Sequence, residues 1–180
     1  NRPVWNYLNF WYLRTAMQPK LHSEAVVVPN QARLMAALVQ FKHLASAHGF
    51  ISSVHGFDHT PFAEAQRLAT GEDAHLPLCV WEYEHTLLTN PVPLLHFNFS
   101  EPIDHIKAAA ADGIYRKSDS RVPIIKAGTA HAILMWVDVD LRPGPWPSEY
   151  TLRGYPLPNA GVHWSRQSVE WLPEYTAVVP

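Results

Sequence analysis

Ala130-His131-Ala132-Ile133-Leu134-Met135-Trp136-Val137-Asp138-Val139-Asp140-Leu141 decides the fold class. Ile133, Met135, Val137, Val139 and Leu141 take turns with Trp136, Asp138 and Asp140, the two-residue period of a strand with two unlike faces. Leu95, Phe97 and Phe99 repeat the pattern against His96, Asn98 and Ser100. The longer apolar run Leu34 to Leu44 has a period that fits helix or strand, and among these neighbours it reads as strand. The chain is therefore expected to be mainly β.

The rest of the composition agrees. With 180 residues, 47% of them hydrophobic and 17% charged, the chain can build a core, and its 16 prolines argue for many short elements and turns. A formal charge of −2 without a long basic run gives no electrostatic footprint for nucleic acid or a membrane surface, so neither is expected as a partner. No apolar stretch reaches the roughly 18 residues of a membrane-spanning helix. The single cysteine, Cys79, excludes an intrachain disulfide and a cysteine-rich zinc site, and fits a reducing compartment.

Outside the strands, Val4 to Met17 places Val4, Tyr7, Leu8, Trp11 and Thr15 on one helical face, with Pro3 suited to the first turn. Pro19 ends that helix, and the β-branched run Ala25 to Val28 is expected to be a buried strand. Phe62, Ala63, Ala65, Gln66 and Leu68 indicate a short helix, capped by Asp58 or Thr60, carrying Pro61 in its first turn and stopped at Gly71. Arg142 to Pro158, with five prolines and two glycines, reads as a surface loop. Asn1, which is not a methionine, and the apolar end Ala177 to Pro180 both read as cuts in a longer chain.

Candidate chemistry is sparse. His55 and His59 would share a face if that segment were helical, as a two-histidine zinc site needs, but no glutamate lies between them and Pro61 follows, so no metal is expected. Glu82 and Glu84 beside Trp81 and Tyr83, and likewise Asp138 and Asp140, are expected on solvated strand faces rather than as acid/base pairs. His131 reads as structural. No phosphate-binding glycine loop and no nucleophile elbow is present. By pattern alone the chain could equally be a free-standing β-barrel module that binds a ligand or a protein through its tryptophans.

Four strings carry a resemblance. Trp5-Asn6-Tyr7-Leu8-Asn9-Phe10-Trp11-Tyr12-Leu13-Arg14-Thr15-Ala16, then Gly56-Phe57-Asp58 with the downstream Trp81-Glu82-Tyr83, then His131-Ala132 before Leu134 and Trp136, and finally His163-Trp164 before Gln167, resemble the protein arginine methyltransferase family. The resemblance runs from residue 1 to about residue 172 and is to the second module of the family's tandem-module member. The intact His163-Trp164 pair leaves the first module open as an alternative.

The resemblance implies a β-barrel domain at residues 29–180 with a helical arm near 56–71, preceded at residues 1–28 by the last helix and strand of a Rossmann-like methyltransferase domain. It implies a cis peptide before Pro29. It further implies transfer of one methyl group from S-adenosylmethionine to a protein arginine, with the cofactor bound by the upstream domain and no catalytic residue in this fragment, which is expected to be inactive alone. Gly56, Phe57, Asp58 and Phe62 would form the interface with the first methyltransferase module of the same chain. His163 and Trp164 resemble a T-H-W loop beside the target arginine, with Val162 in place of the threonine, and would either contact substrate or pack on the Rossmann half. Arginine-containing proteins as substrates, and the cytoplasm and nucleus as location, are implied by the same resemblance.

Overall fold

The computed structural model describes residues 5–48, 51–70, 76–103, 121–147, 149–155 and 166–180. Its elements are α1 (Trp5–Met17), β1 (Gln31–Phe41), α2 (Leu44–His48), β2 (Ser53–Val54), β3 (Phe57–Asp58), α3 (Thr60–Thr70), β4 (Leu76–Leu78), β5 (His85–Leu87), β6 (Val92–Asn98), β7 (Gly128–Asp140), β8 (Thr151–Leu152) and β9 (Gln167–Val178). The fold is mainly β, as the alternation of β7 and β6 requires. Among the described residues, no helix is long and apolar enough to cross a membrane.

The chain forms two compact units, and the long strands β1 and β7 contribute to both. The first unit holds residues 1–36, 92–121 and 136–165. In it, β6 pairs antiparallel with β1, from Gln31 opposite Asn98 to Ala36 opposite Val92, and β8 pairs with the end of β7. The second unit holds residues 37–91, 122–135 and 166–180. Its strands follow the order β4-β9-β7-β1-β5.

In the first unit, α1 is fixed to the chain beyond β6 by side chains that reach backbone carbonyls. Buried Arg14 donates from Nε to the Phe99 carbonyl and from Nη2 to the Ser100 carbonyl, each at 2.7 Å, and from Nη1 to Gln18 Oε1. Trp11 Nε1 donates to the Glu101 carbonyl at 2.8 Å, and Thr15 Oγ1 accepts from the Ile103 amide at 2.8 Å. Phe10 and Trp11 meet the ring of Phe99 edge to face, at 5.0 and 6.2 Å between centroids. The string Phe10-Trp11 with Arg14-Thr15 is thus the contact face of the helix. Tyr12, Leu13 and Met17 are exposed.

Two expectations are corrected after α1. Ala25–Val28 forms no strand: Val26 and Val28 are exposed, and no strand among the described residues pairs with them. A β-branched run is strand-like only beside a partner, because backbone N–H and C=O groups need a ladder before the side chains can be buried. The apolar run of residues 34–44 is also divided, since the strand ends at Phe41 and Leu44 opens α2. The Val28–Pro29 peptide is cis, as the resemblance implies, and Trp146–Pro147 is cis as well.

In the second unit, the imidazole of His131 on β7 accepts the Phe41 amide N–H through Nδ1 at 3.1 Å and lies 4.6 Å from the Tyr175 ring. This is the structural role read from the sequence. Burial pushes its pKa below the usual 6.5. Burial, and then the Arg33 guanidinium, likewise lower His96. A depressed histidine pKa favours the neutral folded form, so this stabilisation is complete above the unfolded value near 6.5 and is lost as pH falls toward the folded values.

Two measurements follow. Denaturant unfolding between pH 7 and pH 5 is expected to lose stability on acidification, with a smaller slope in His131→Phe and a smaller one again when His96→Phe is added; equal slopes in all three would show that neither ring titrates with folding. Arg14→Met should lower unfolding free energy by about 2 to 4 kcal/mol, because it strips donors from the Phe99 and Ser100 carbonyls.

Candidate functional site

The arm residues lie in the second unit. Ser53 and Val54 pair with Asp58 and Phe57, and the turn between them is His55-Gly56. Both turn residues have positive φ, 50° and 85°, the conformation of a two-residue type I′ hairpin, which glycine accepts without strain. Asp58 Oδ1 accepts the Thr60 amide at 3.0 Å at the start of α3. Those Thr60 bonds, backbone first and side chain second, hold the Asp58 carboxyl below its ordinary pKa. Gly56 thus makes the turn, Asp58 secures the helix, and the hairpin and helix expose Phe57 and Phe62 at 77% and 63%. Val54 and Leu68 are exposed on the same segment. Exposed aromatic and aliphatic groups so near in sequence are the chemistry of a docking surface.

The same geometry removes the premise of a zinc pair, because His55 lies in a hairpin turn and not on a helix with His59. His59 instead stacks against Phe62, with 4.9 Å between ring centroids. Among the described residues, no group of three or more His, Cys, Asp or Glu side chains could hold a metal ion. Glu82 lies on a short 3-10 turn rather than an extended segment, and Glu84 reaches Lys42 Nζ at 2.8 Å; both glutamates are exposed, as expected.

The second cluster overturns the sequence reading. Asp138 and Asp140 were expected on a solvated face, and they are 2% and 0% exposed. They share the parity of Ala130, Ala132, Leu134 and Trp136, all buried, and Val137 and Val139 are buried too, so both faces of this end of β7 are covered. Each meets donors from the loop that follows. Asp138 Oδ1 accepts the Gly154 amide at 2.8 Å, and Oδ2 accepts Arg153 Nη1 at 3.1 Å. Asp140 accepts from the Thr151 hydroxyl and the Arg142 amide, both at 3.4 Å. Tyr155 packs its ring 4.9 Å from that of Trp136. Tyr7 of α1 has its pKa raised, by burial first and then by the Asp138 charge. The missed signal was the donor set Arg142, Thr151 and Arg153 close behind two aspartates of like parity.

His163 and Trp164 lie outside the described residues, as do Val162 and Gly71. The chain reaches them eight and nine residues after Tyr155, the last described residue of the Asp138 cluster.

Strands of this order, with a helix clamped beyond β6 and a hairpin-and-helix insert, have the fold of a protein arginine methyltransferase barrel domain. The Trypanosoma brucei PRMT1 enzyme–prozyme heterotetrameric complex with AdoHcy matches with a TM-score of 0.59 over 94% of this chain and 49% of that chain, at 13% identity. In sequence the chain is similar to protein arginine N-methyltransferase 7 of Danio rerio, 30% identical over 140 residues, covering 76% of this chain. Protein arginine N-methyltransferase 1.6 of Arabidopsis thaliana is 29% identical over 140 residues, covering 74% of this chain. The chain spans 19% and 18% of the length of these two relatives. No family model matches it. The chain is a relative of the protein arginine N-methyltransferases.

Gly154 is required by space as well as by its amide. A Cβ there would collide with the Val137 backbone carbonyl. Gly154→Ala is expected to destabilise the fold by about 1 to 3 kcal/mol in denaturant titrations, the range for forcing an extra carbon into a packed site.

Proposed function

We propose that this chain is the barrel part of a protein arginine N-methyltransferase, an enzyme that moves one methyl group from S-adenosylmethionine to an arginine guanidinium of a protein substrate. The observation that carries the reading is the 30% identity over 140 residues to the Danio rerio enzyme. The clamped face of α1 supports it, because the residues of the resembling string are those that hold the helix in place. The exposed Leu13 and Met17 of the same helix are suited to cover by a further part of the protein.

In this reading the segment is scaffold. Arginine's high pKa makes its guanidinium a poor nucleophile, so transfer needs carboxylates that orient it toward the methyl sulfonium. Asp138 and Asp140 do not fit that task, being buried and already engaged by Gly154, Arg153, Thr151 and the Arg142 amide. The described residues also do not fit the cofactor, since the same two carboxylates are already committed. S-adenosylmethionine binding and the orienting carboxylates are therefore assigned to the upstream domain, residues 1–28 to its tail and residues 29–180 to the barrel. The arm, through Phe57 and Phe62, docks on the first methyltransferase module of the same chain, and His163-Trp164 lies on the substrate side. Arginine-containing proteins are the substrates, met in the cytoplasm and nucleus. Monomethylation rests on the likeness to the tandem-module member.

The test is methyl transfer from labelled S-adenosylmethionine to an arginine-rich peptide by the full-length protein, with the modified residue identified by mass. Monomethylarginine is the expected product, and absence of transfer to arginine overturns the reading. Phe57→Ser with Phe62→Ser should lower activity about tenfold or more, as loss of aromatic anchors does at interfaces, with the circular dichroism spectrum unchanged.

A further inference from the structure

Arg33 carries a charge that no acidic group among the described residues answers. It stands on β1 directly opposite His96 of β6, and its guanidinium carbon lies 4.5 Å from the centre of the Trp146 ring, all three residues belonging to the first unit. Its Nε is buried without a hydrogen-bond acceptor. Burial alone lowers the Arg33 pKa, and burial followed by the Arg33 charge lowers that of His96, so no carboxylate acts on either group. A buried donor left unpaired is destabilising, and a guanidinium gains most from an acceptor that can take two of its N–H groups at once.

The surroundings of this charge are already in place. His96 donates from Nε2 to Gln31 Oε1 at 3.0 Å, and Gln31 Nε2 donates to the Gly144 carbonyl at 3.4 Å, which ties the loop of Trp146 to the two strands. With one face of the guanidinium against an indole, an acceptor approaches along its edge. A planar carboxylate meets that edge with both oxygens, as arginine's fork favours. A formal charge of −2 without a long basic run makes a chain of phosphates an unsuitable source of the anion. Arginine and tryptophan are among the side chains that carry most of the binding energy at protein interfaces, and the exposed Leu94, two residues before His96, adds an apolar contact beside them.

We propose that Arg33, backed by Trp146 and flanked by His96, binds a side-chain carboxylate of a partner peptide. The site stands on these contacts and is independent of the methyl-transfer reading.

The experiment uses the full-length protein and a blocked Gly-Glu-Glu-Gly peptide carrying a photoreactive leucine, beside its Gly-Gln-Gln-Gly counterpart. Affinity is read by calorimetry, and position by mass spectrometry of the cross-linked product. The glutamate peptide should bind about tenfold or more above the glutamine peptide, the size that hydrogen bonds to a charged group carry, and cross-link within residues 31–35, 94–98 or 144–147. Arg33→Gln should weaken it by about the same factor. Arg142→Gln removes a charge that stacks instead on Tyr150, and should leave binding unchanged. Acetate should compete for the site more weakly than the peptide, and inorganic phosphate more weakly again. If Arg33→Gln fails to fold, Arg33→Lys decides: it keeps the charge and loses the planar fork, and should weaken binding several-fold.

Equal binding of the two peptides, cross-links elsewhere, an effect of Arg142→Gln as large as that of Arg33→Gln, or wild-type affinity in Arg33→Lys overturns the site. Acetate or inorganic phosphate held more tightly than the peptide overturns the peptide carboxylate as its ligand.

Discussion

A carboxylate removed from water must find its hydrogen-bond donors in the protein, and that requirement organises the end of β7. Asp138 and Asp140 meet it with groups from a loop rich in proline and glycine. Asp140 also joins this end to the chain before β1, because its carbonyl accepts the Asn30 amide at 2.9 Å. The Asn30 carbonyl in turn accepts the Phe99 amide at 2.8 Å, and the Phe99 carbonyl accepts Arg14. One sequence of bonds therefore runs from β7 through the residue after Pro29 to the end of β6 and onto α1.

The clamp on α1 follows the same logic with the charges reversed. Arg14 brings a guanidinium to two carbonyls that lie past the end of β6 and have left the strand ladder, so the helix satisfies acceptors the sheet does not. Trp11 and Thr15 do this for Glu101 and Ile103. The side chains at 11, 14 and 15 follow the three- and four-residue spacing of one helical face, which is why the sequence string is so restricted there.

The strands were legible where the period-two pattern was long, as in β7 and β6, because burial on a sheet obliges alternate residues to agree. The helix of the arm was legible for a different reason: Asp58 and Pro61 are chemical requirements of a helix start and act within a few residues, whereas the turn at Gly56 was not read from the pattern. The cis peptide before Pro29 was reached through the family likeness, not through the pattern. Ala25–Val28 was misread because its composition suits a strand and a strand needs a neighbour, which composition does not supply. Asp138 and Asp140 were misread because an acidic residue in an alternating pattern is ordinarily on the wet side. What buries them is a set of donors 2 to 16 residues further on, and pairing across a loop leaves no period to detect.

These two kinds of stabilisation divide the labour of the molecule. The hairpin and α3 are held by bonds within their own segment, from Asp58 to Thr60 and from the His59 amide to the Ser52 carbonyl, so their form does not depend on burying Phe57 and Phe62. An element built this way can keep its apolar side chains for a partner and remain ordered without one. The loop after β7 is the opposite case, since its order comes from the buried face of a strand. A change at Phe57 or Phe62 should therefore leave the barrel as it is, whereas a change at Asp138 removes the acceptor that Arg153 and Gly154 share.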